Sequence, residues 1–296
     1  MREFRPGSFQ VLPPIVKNLI IINVLMVLIQ YVLGKYGIDL ADYLGLHYWS
    51  SHYFRPWQLL THMFMHGSYD DVNATILHIF SNMFALWMFG SILENVWGPK
   101  RFLTFYIICG LGAALCHLGV LTYDYHTIER AFDFYQNNAT LDQYELFLKQ
   151  HVPYPTALNE PEYPLWNLHQ QWSNDPSTFN INGSKSVIYQ YLHGGYNINH
   201  QYFKGIFDEA TVGASGAVFG VLFAFGYLFP NTLLYLYFMI PIKAKWVVGA
   251  YALFELYAGF QNAHGDKIAH FAHIGGMIFA FILLKIWGKK VRNNFY

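Results

Sequence analysis

One stretch decides the fold of this chain: Val212–Gly213–Ala214–Ser215–Gly216–Ala217–Val218–Phe219–Gly220. It opens an apolar run to Phe229 that has the composition of a membrane-spanning helix, which places the serine at the helix's first turn. Free backbone N–H groups and the helix dipole favour an anion there, including the oxyanion that forms when a serine attacks a carbonyl. The alternative is that the glycines are small residues that let helices pack closely in lipid.

The composition of the whole chain is that of a membrane protein. Of its 296 residues, 54% are hydrophobic and 12% are charged, whereas soluble domains carry about 25% charged residues. The mean hydropathy is +0.22 and the formal net charge is zero, so nothing indicates nucleic-acid binding. Cys109 and Cys116 lie in one apolar segment, and we expect core residues rather than a disulfide or a metal site.

Six segments are apolar and long enough to span a bilayer, which takes about 20 residues. They are residues 15–33, 76–97, 102–123, 213–229, 246–261 and 269–287. The sequence therefore predicts an all-α polytopic membrane protein with six transmembrane helices and a long extracytoplasmic insertion between helices 3 and 4. Residues 1–123 and 212–296 form one membrane domain in this prediction, and residues 124–211 form the insertion.

The positive charges outside the insertion are unequally divided between the two sides of the membrane. Eleven fall on the side of the termini: Arg2, Arg5, Lys17, Lys100, Arg101, Lys243, Lys245, Lys285, Lys289, Lys290 and Arg292. Three fall on the other: Lys35, Arg55 and Lys267. This distribution predicts cytoplasmic termini and an extracytoplasmic insertion. Without a transit-like leader, we expect the plasma membrane, or the inner membrane where a cell has two.

Three polar residues fall at one predicted depth. Ser215, His273 and Asn82 lie about 14–15 residues before the inner ends of their segments, or ~22 Å at a helical rise of 1.5 Å per residue. Polar groups at that depth should face each other or a water-filled cavity. A serine, a histidine that can take its proton and an amide that can stabilise an oxyanion are the parts of nucleophilic acyl transfer. The alternative is three unrelated contacts between helices.

Four motifs at these residues resemble the rhomboid family of intramembrane serine proteases. Gly213–Ala214–Ser215–Gly216 is similar to the family's nucleophile motif, and Ala272–His273–Ile274–Gly275–Gly276 to its catalytic histidine motif. His78–Ile79–Phe80–Ser81–Asn82 is similar to the His-x-x-x-Asn of its second helix, and Glu94 with Gly98–Pro99–Lys100 to the inner end of that helix. The resemblance covers all six predicted spans.

The resemblance implies a role for each matching residue. Ser215 would be the nucleophile and His273 its general base, as a dyad without a carboxylate. Asn82, His78 and the Ser215 backbone N–H would form the oxyanion site. The site would be supported by Gly213, Gly216, Phe219, Gly276 and Glu94, with Gly276 letting the last helix pack on the fourth. Neither a metal nor a cofactor is implied, and the partners would be transmembrane protein substrates and the lipid bilayer.

The chain departs from the family pattern at two positions. Phe219 stands where many members have a tyrosine stacked on the catalytic histidine, so the ring is kept and the hydroxyl is lost. Gln58, in Trp57–Gln58, stands where members often have an arginine. We therefore expect the first outer loop to pack differently.

Several other polar residues have two interpretations. His62 and His66 have the i, i+4 spacing of a helical metal pair, or they are packing residues of a loop. His270 lies one turn before His273 and is a candidate cavity-lining residue. Glu255 lies about 10 residues into the fifth segment, where a carboxyl is either functional or protonated and bonded to a neighbouring helix. The sequence gives it no partner.

The insertion carries ten acidic and four basic residues, a net charge of −6, and many aromatic residues. Thr140–Leu141–Asp142–Gln143 predicts a capped helix. The aromatic content suggests that the insertion folds back on the membrane domain, either as a cap that limits access to Ser215 or as a passive addition.

The sequence thus predicts an intramembrane serine endopeptidase that cleaves single-span membrane proteins in or near the bilayer. The alternative is a catalytically silent rhomboid-like protein that binds membrane clients, although such a relative would be expected to lack the serine or the histidine. A transporter should show repeats with broken helices in matching positions, which this sequence does not.

Overall fold

The computed structural model describes residues 9–288 except 69–70, 156, 158–159, 161, 197–201, 237–238 and 262–268. Six of the positive charges used for the predicted orientation lie outside the described residues: Arg2, Arg5, Lys267, Lys289, Lys290 and Arg292. The helices are α1 (Pro14–Gly34), α2 (Ala41–Leu44), α3 (Gln58–Thr61), α4 (Val72–Ala85), α5 (Ser91–Trp97), α6 (Pro99–Asn137), α7 (Leu141–His151), α8 (Tyr163–Asn174), α9 (Ile181–His193), α10 (Ser215–Leu228), α11 (Ala244–Gln261) and α12 (His270–Trp287).

Shorter elements connect these helices. A π-helical turn, Leu86–Gly90, joins α4 to α5, and 3₁₀ turns lie at His62–Phe64, Pro176–Thr178 and Ile206–Asp208. Two antiparallel strand pairs occur: β1 (Gly195–Tyr196) with β2 (Tyr202–Phe203), and β3 (Leu233–Leu236) with β4 (Ile240–Lys243). The second pair lies between α10 and α11.

Four of the described helical stretches are long and apolar enough to cross a membrane. They are α1, the continuous Val72–Trp97 rod of α4 and α5, α6, and α12. The apolar helix α10 is shorter, at 14 residues or about 21 Å. The predicted count of six spans also requires α10 and α11, and it stays a prediction.

Helix α6 runs well past the end of the predicted third span at residue 123. It has 39 residues, or about 58 Å at 1.5 Å per residue, against a hydrocarbon core of about 30 Å. The predicted apolar segment ends at residue 123, but the helix continues to Asn137 because its second half has a core of its own to pack into. There Phe132 and Tyr135 are buried among side chains of α7–α9.

Residues 124–211, here called the 124–211 region, form a second hydrophobic core built largely from aromatic side chains. Thr140 Oγ1 accepts a hydrogen bond of 3.2 Å from the backbone N–H of Gln143 at the start of α7, as the capping pattern predicted. The Tyr144 hydroxyl is buried and donates to the carbonyl of Leu165 at 3.0 Å. Burial raises the pKa of Tyr144, so its hydroxyl stays a hydrogen-bond donor.

The 124–211 region is fastened to the outer loop, residues 35–57. Lys204 forms an ion pair with Asp42, and its Nζ lies 3.6 Å from Asp39 Oδ2. Partial burial opposes the charge of Lys204, but the hydrogen bond and charge of Asp42 outweigh it, so the pKa of Lys204 is raised. Ser51 Oγ donates to Asp208 Oδ1 at 2.6 Å, a second polar link between the two segments.

Gln58 fills the position of the missing arginine and organises the outer loop. Its amide is fully buried. Nε2 donates to the carbonyl of Tyr53 at 2.9 Å, and Oε1 accepts from the backbone N–H of Arg55 at 3.0 Å. The neighbouring Trp57 Nε1 donates to the carbonyl of Tyr43 at 3.0 Å. A neutral amide thus makes the anchoring contacts of this loop.

The inner ends of the helices are held by a second set of contacts. The Glu94 carboxylate accepts from the backbone N–H groups of Ile15 at 2.9 Å and Val16 at 2.8 Å, the free donors at the start of α1. Trp97 and Trp287 meet edge to face with ring centroids 5.8 Å apart. The last residues of the second and sixth predicted segments, Trp97 and Trp287, therefore lie side by side.

Candidate active site

Small residues bring three helices together around the middle of the membrane domain. A Cβ on Gly216 of α10 would overlap Ala113 of α6, and a Cβ on Gly276 of α12 would overlap the carbonyl oxygen of Gly216. A Cβ on Gly275 would lie 2.6 Å from the Cβ of Cys116. Helices α6, α10 and α12 therefore cross in direct backbone contact, which is possible only for glycine at these positions.

Ser215 is the first residue of α10, and Gly213 sets its position. Gly213 has φ +136°, a conformation that side-chain-bearing residues rarely adopt, and its N–H donates to the carbonyl of His62 at 3.0 Å. A Cβ on Gly213 would also lie 3.0 Å from His78 Nε2. Both the backbone conformation and the space beside His78 thus require glycine before the serine.

Ser215 and His273 are in hydrogen-bond contact, with 2.8 Å between Oγ and Nε2. His273 lies in the first turn of α12 and is 7% exposed. The Phe219 ring, one turn beyond Ser215, is stacked on the His273 imidazole with centroids 4.1 Å apart and planes inclined by 11°. The imidazole is therefore held on one face by an aromatic ring and at one nitrogen by the serine.

The other nitrogen of the imidazole contacts a carboxylate. His273 Nδ1 lies 2.8 Å from Glu255 Oε2, and His270 Nδ1 lies 2.6 Å from the same oxygen. The resemblance implied a dyad without a carboxylate, and the structure differs because α11 turns Glu255 toward α12. The partner that the sequence did not give for Glu255 is this pair of histidines.

The same three side chains have the spacing of a metal site. Glu255, His270 and His273 each offer one ligand atom, and these atoms lie within 4.8 Å of one another. Within the described ranges no other set of three such side chains does so, and His62 and His66 belong to no such set. The His62 Nδ1 lies 2.8 Å from the carbonyl of Gln58, and the His66 ring packs on His78 with centroids 5.0 Å apart.

The candidate oxyanion residues lie in the wall of the cleft that holds Ser215. Asn82 is buried, and its Nδ2 donates to the carbonyl of His78 at 2.9 Å, which uses one of the two amide hydrogens. Asn82, His78, Ser215 and His273 line one open cleft of about 1850 Å³. Glu94 is placed elsewhere, at the start of α1, so it supports the fold rather than the site.

Comparison with known proteins identifies the family of the chain. A search of curated proteins found no match. The family model of the Rhomboid domain matches residues 53–128 and 165–290, which is more than half of the chain and includes Ser215, His273, Glu255, His78 and Asn82. This match confirms the resemblance seen in the sequence motifs, and the chain therefore belongs to the rhomboid family.

Proposed function

We propose that this rhomboid-family protein is an intramembrane serine endopeptidase that cleaves single-span membrane proteins in or near the bilayer. The observation that carries the proposal is the 2.8 Å contact between Ser215 Oγ and His273 Nε2 at the start of an apolar helix. A nucleophile and its base within hydrogen-bond reach, beside free backbone donors, are the arrangement that acyl transfer needs.

In the proposed reaction, Ser215 Oγ attacks the carbonyl carbon of the scissile peptide bond. His273 Nε2 takes the hydroxyl proton and returns it to the leaving amine as the C–N bond breaks. A water molecule then attacks the acyl carbon and gives a proton to the same nitrogen, which passes it to Ser215 Oγ as the acyl C–O bond breaks and the acid product leaves. These proton transfers all use His273 Nε2, which must carry no proton when Ser215 attacks and again when water attacks.

The negative oxygen of the tetrahedral intermediate needs donors on the opposite side of the carbonyl from His273. The Ser215 N–H at the first turn of α10 is one candidate, with the helix dipole behind it. The second hydrogen of the Asn82 amide and the His78 ring are the others, since both side chains line the cleft beside Ser215. We assign the oxyanion site to these three groups.

The proposed topology has six spans, cytoplasmic termini and an extracytoplasmic 124–211 region, in the plasma membrane. In this topology the start of α10 lies at membrane depth, where non-helical backbone is tolerated if it is buried in protein or lines a cavity. Gly213 and Ala214 are buried, and the cleft would bring water to Ser215.

We also propose that the 124–211 region is a cap over the access route to Ser215. Two observations support this role: the region has its own core, and it is tied to the outer loop by Lys204–Asp42 and Ser51–Asp208. Deletion of residues 126–205 should widen the range of membrane substrates that are cut. A folded deletion variant with an unchanged substrate range would contradict the cap.

The decisive experiment is labelling of the purified, detergent-solubilised protein by a fluorophosphonate serine probe. The wild type should label, while Ser215→Ala and His273→Ala should not. A folded wild type that takes no label, beside a rhomboid protease that does, would overturn the proposal and favour the catalytically silent relative that binds membrane clients.

A further inference from the structure

We propose that Glu255 is a positioning residue for His273 and makes the site a serine–histidine–glutamate triad. The inference deepens the proposed protease function and rests on it. It starts from one geometrical fact: a single imidazole joins Ser215 Oγ at Nε2 and Glu255 Oε2 at Nδ1, each at 2.8 Å.

The carboxylate decides which nitrogen of His273 carries the proton. An ionised carboxylate only accepts hydrogen bonds, so a neutral imidazole bonded to it must present Nδ1–H. Its Nε2 then has a free lone pair directed at the Ser215 hydroxyl, which is the tautomer that can take the serine proton. Without Glu255, the other tautomer becomes accessible, and it presents a hydrogen to Ser215 instead of a lone pair.

The surroundings of Glu255 fit an ionised group held for this purpose. Its side chain is 5% exposed within an apolar part of the protein, where an unpaired carboxylate is costly. Two imidazole N–H groups converge on its Oε2, from His273 and from His270 one turn earlier. His270 therefore holds the Glu255 carboxylate in place, and the carboxylate keeps its contact with His273.

The same carboxylate stabilises His273 when it carries the extra proton during the reaction. The groups that face His273 are Glu255 from α11, His270 from its own helix, Ser215 from α10, and two more histidines within electrostatic reach, His78 on α4 and His117 on α6. Glu255 is the negative one among these described neighbours. Its removal should therefore change the pH dependence of the reaction as well as its rate.

The test compares fluorophosphonate labelling rates of full-length wild type, Glu255→Gln and Glu255→Asp across pH, with and without EDTA. Glu145→Gln, an exposed carboxylate of α7, is the matched control. We expect Glu255→Gln to label at least ~10-fold more slowly, within the ~10⁴-fold loss known when the carboxylate of a serine triad becomes an amide. The acid limb of its pH–rate profile should move to lower pH, because the variant removes an opposite charge beside a histidine.

Each outcome separates this inference from the protease function. If wild type labels and Ser215→Ala does not, the function stands, and a Glu255→Gln rate and acid limb equal to wild type overturn the triad alone. A slower rate with an unmoved acid limb overturns it too, because a merely structural role would give that result. EDTA that alters the wild-type rate would replace the triad with a metal held by the same side chains.

The conservative variant decides the matter if Glu255→Gln does not fold. Glu255→Asp keeps the negative charge on a shorter side chain, so labelling should be slower while the acid limb stays where it lies in wild type, because an opposite charge still faces His273. If the acid limb of Glu255→Asp moves to lower pH, as it would on loss of the charge, the proposal is overturned.

Discussion

Replacing Gly276 with alanine should inactivate the protein far more than it destabilises it. The added Cβ would overlap the carbonyl oxygen of Gly216, so α12 must move away from α10 by on the order of 1 Å to relieve the clash. His273 lies one turn before Gly276 on α12 and moves with the helix. Its 2.8 Å bond to Ser215 would lengthen to about 3.8 Å, which is outside hydrogen-bond range.

The two effects have different magnitudes. Overpacking a core costs about 1–3 kcal/mol, and the higher helix propensity of alanine offsets about 1 kcal/mol of it, so the net loss of stability is about 0–2 kcal/mol. A displacement of about 1 Å in a catalytic pair costs about 10²-fold in rate. The labelling rate should therefore fall about 100-fold in a protein that still unfolds cooperatively close to the wild-type temperature.

The assay measures the fluorophosphonate labelling rate and the thermal unfolding of each purified variant in the same detergent. Gly249→Ala on α11 is the control, because a Cβ there meets nothing within 4 Å. It should label at the wild-type rate and be up to about 1 kcal/mol more stable. A Gly276→Ala variant that labels as fast as Gly249→Ala would refute the reasoning from the helix crossing.

Three further changes test single contacts. Phe219→Leu removes the ring stacked on His273 and should slow labelling by about 2- to 10-fold, the equivalent of ~0.5–1.5 kcal/mol, whereas Phe219→Tyr should label as wild type does; equal rates for both variants would contradict a role for the ring. Gln58→Leu leaves outer-loop backbone groups unpaired and should cost about 1–3 kcal/mol, read as a lower unfolding temperature; an unchanged temperature would show that the loop does not depend on this amide. Lys204→Met breaks the ion pair with Asp42 and should change the free energy of unfolding by under ~1 kcal/mol while speeding limited proteolysis of the outer loop. Unchanged proteolysis would show that this ion pair does not hold the outer loop to the 124–211 region.

The proximity of Ser215 and His273 could be predicted because each lies in a short local motif. Ser215 follows Gly213–Ala214 at the start of an apolar run, and His273 lies the same number of turns from the inner end of its own helix. In the structure Ser215 Oγ and His273 Nε2 lie 2.8 Å apart. The equal depth of the two residues predicted only that they lie at one level. The pairing of Glu255 with His273 was missed because it depends on the rotation of α11 about its axis, where one residue corresponds to about 100°.

The extent of α6 and the packing of the outer loop show a second limit of the sequence. Hydropathy marks where a span leaves the bilayer, but a helix ends where its backbone finds better partners, and α6 continues to Asn137 because Phe132 and Tyr135 have a core to enter. Gln58 led us to expect that the first outer loop packs differently from one anchored by an arginine. A buried amide both donates and accepts, so it bonds backbone groups of two kinds at once.

The point at which α6 crosses α10 divides α6 into two unequal lengths. Helix α6 touches α10 at Ala113, beneath Gly216, and from there it runs inward to Pro99 for about 21 Å and outward to Asn137 for about 36 Å. A tilt of α6 by about 2° about that crossing point would displace its outer end by about 1 Å and would hardly shift the crossing itself. A force on the 124–211 region would therefore displace the outer end of α6, at the mouth of the cleft, more than it displaces Ser215 and His273 near the crossing.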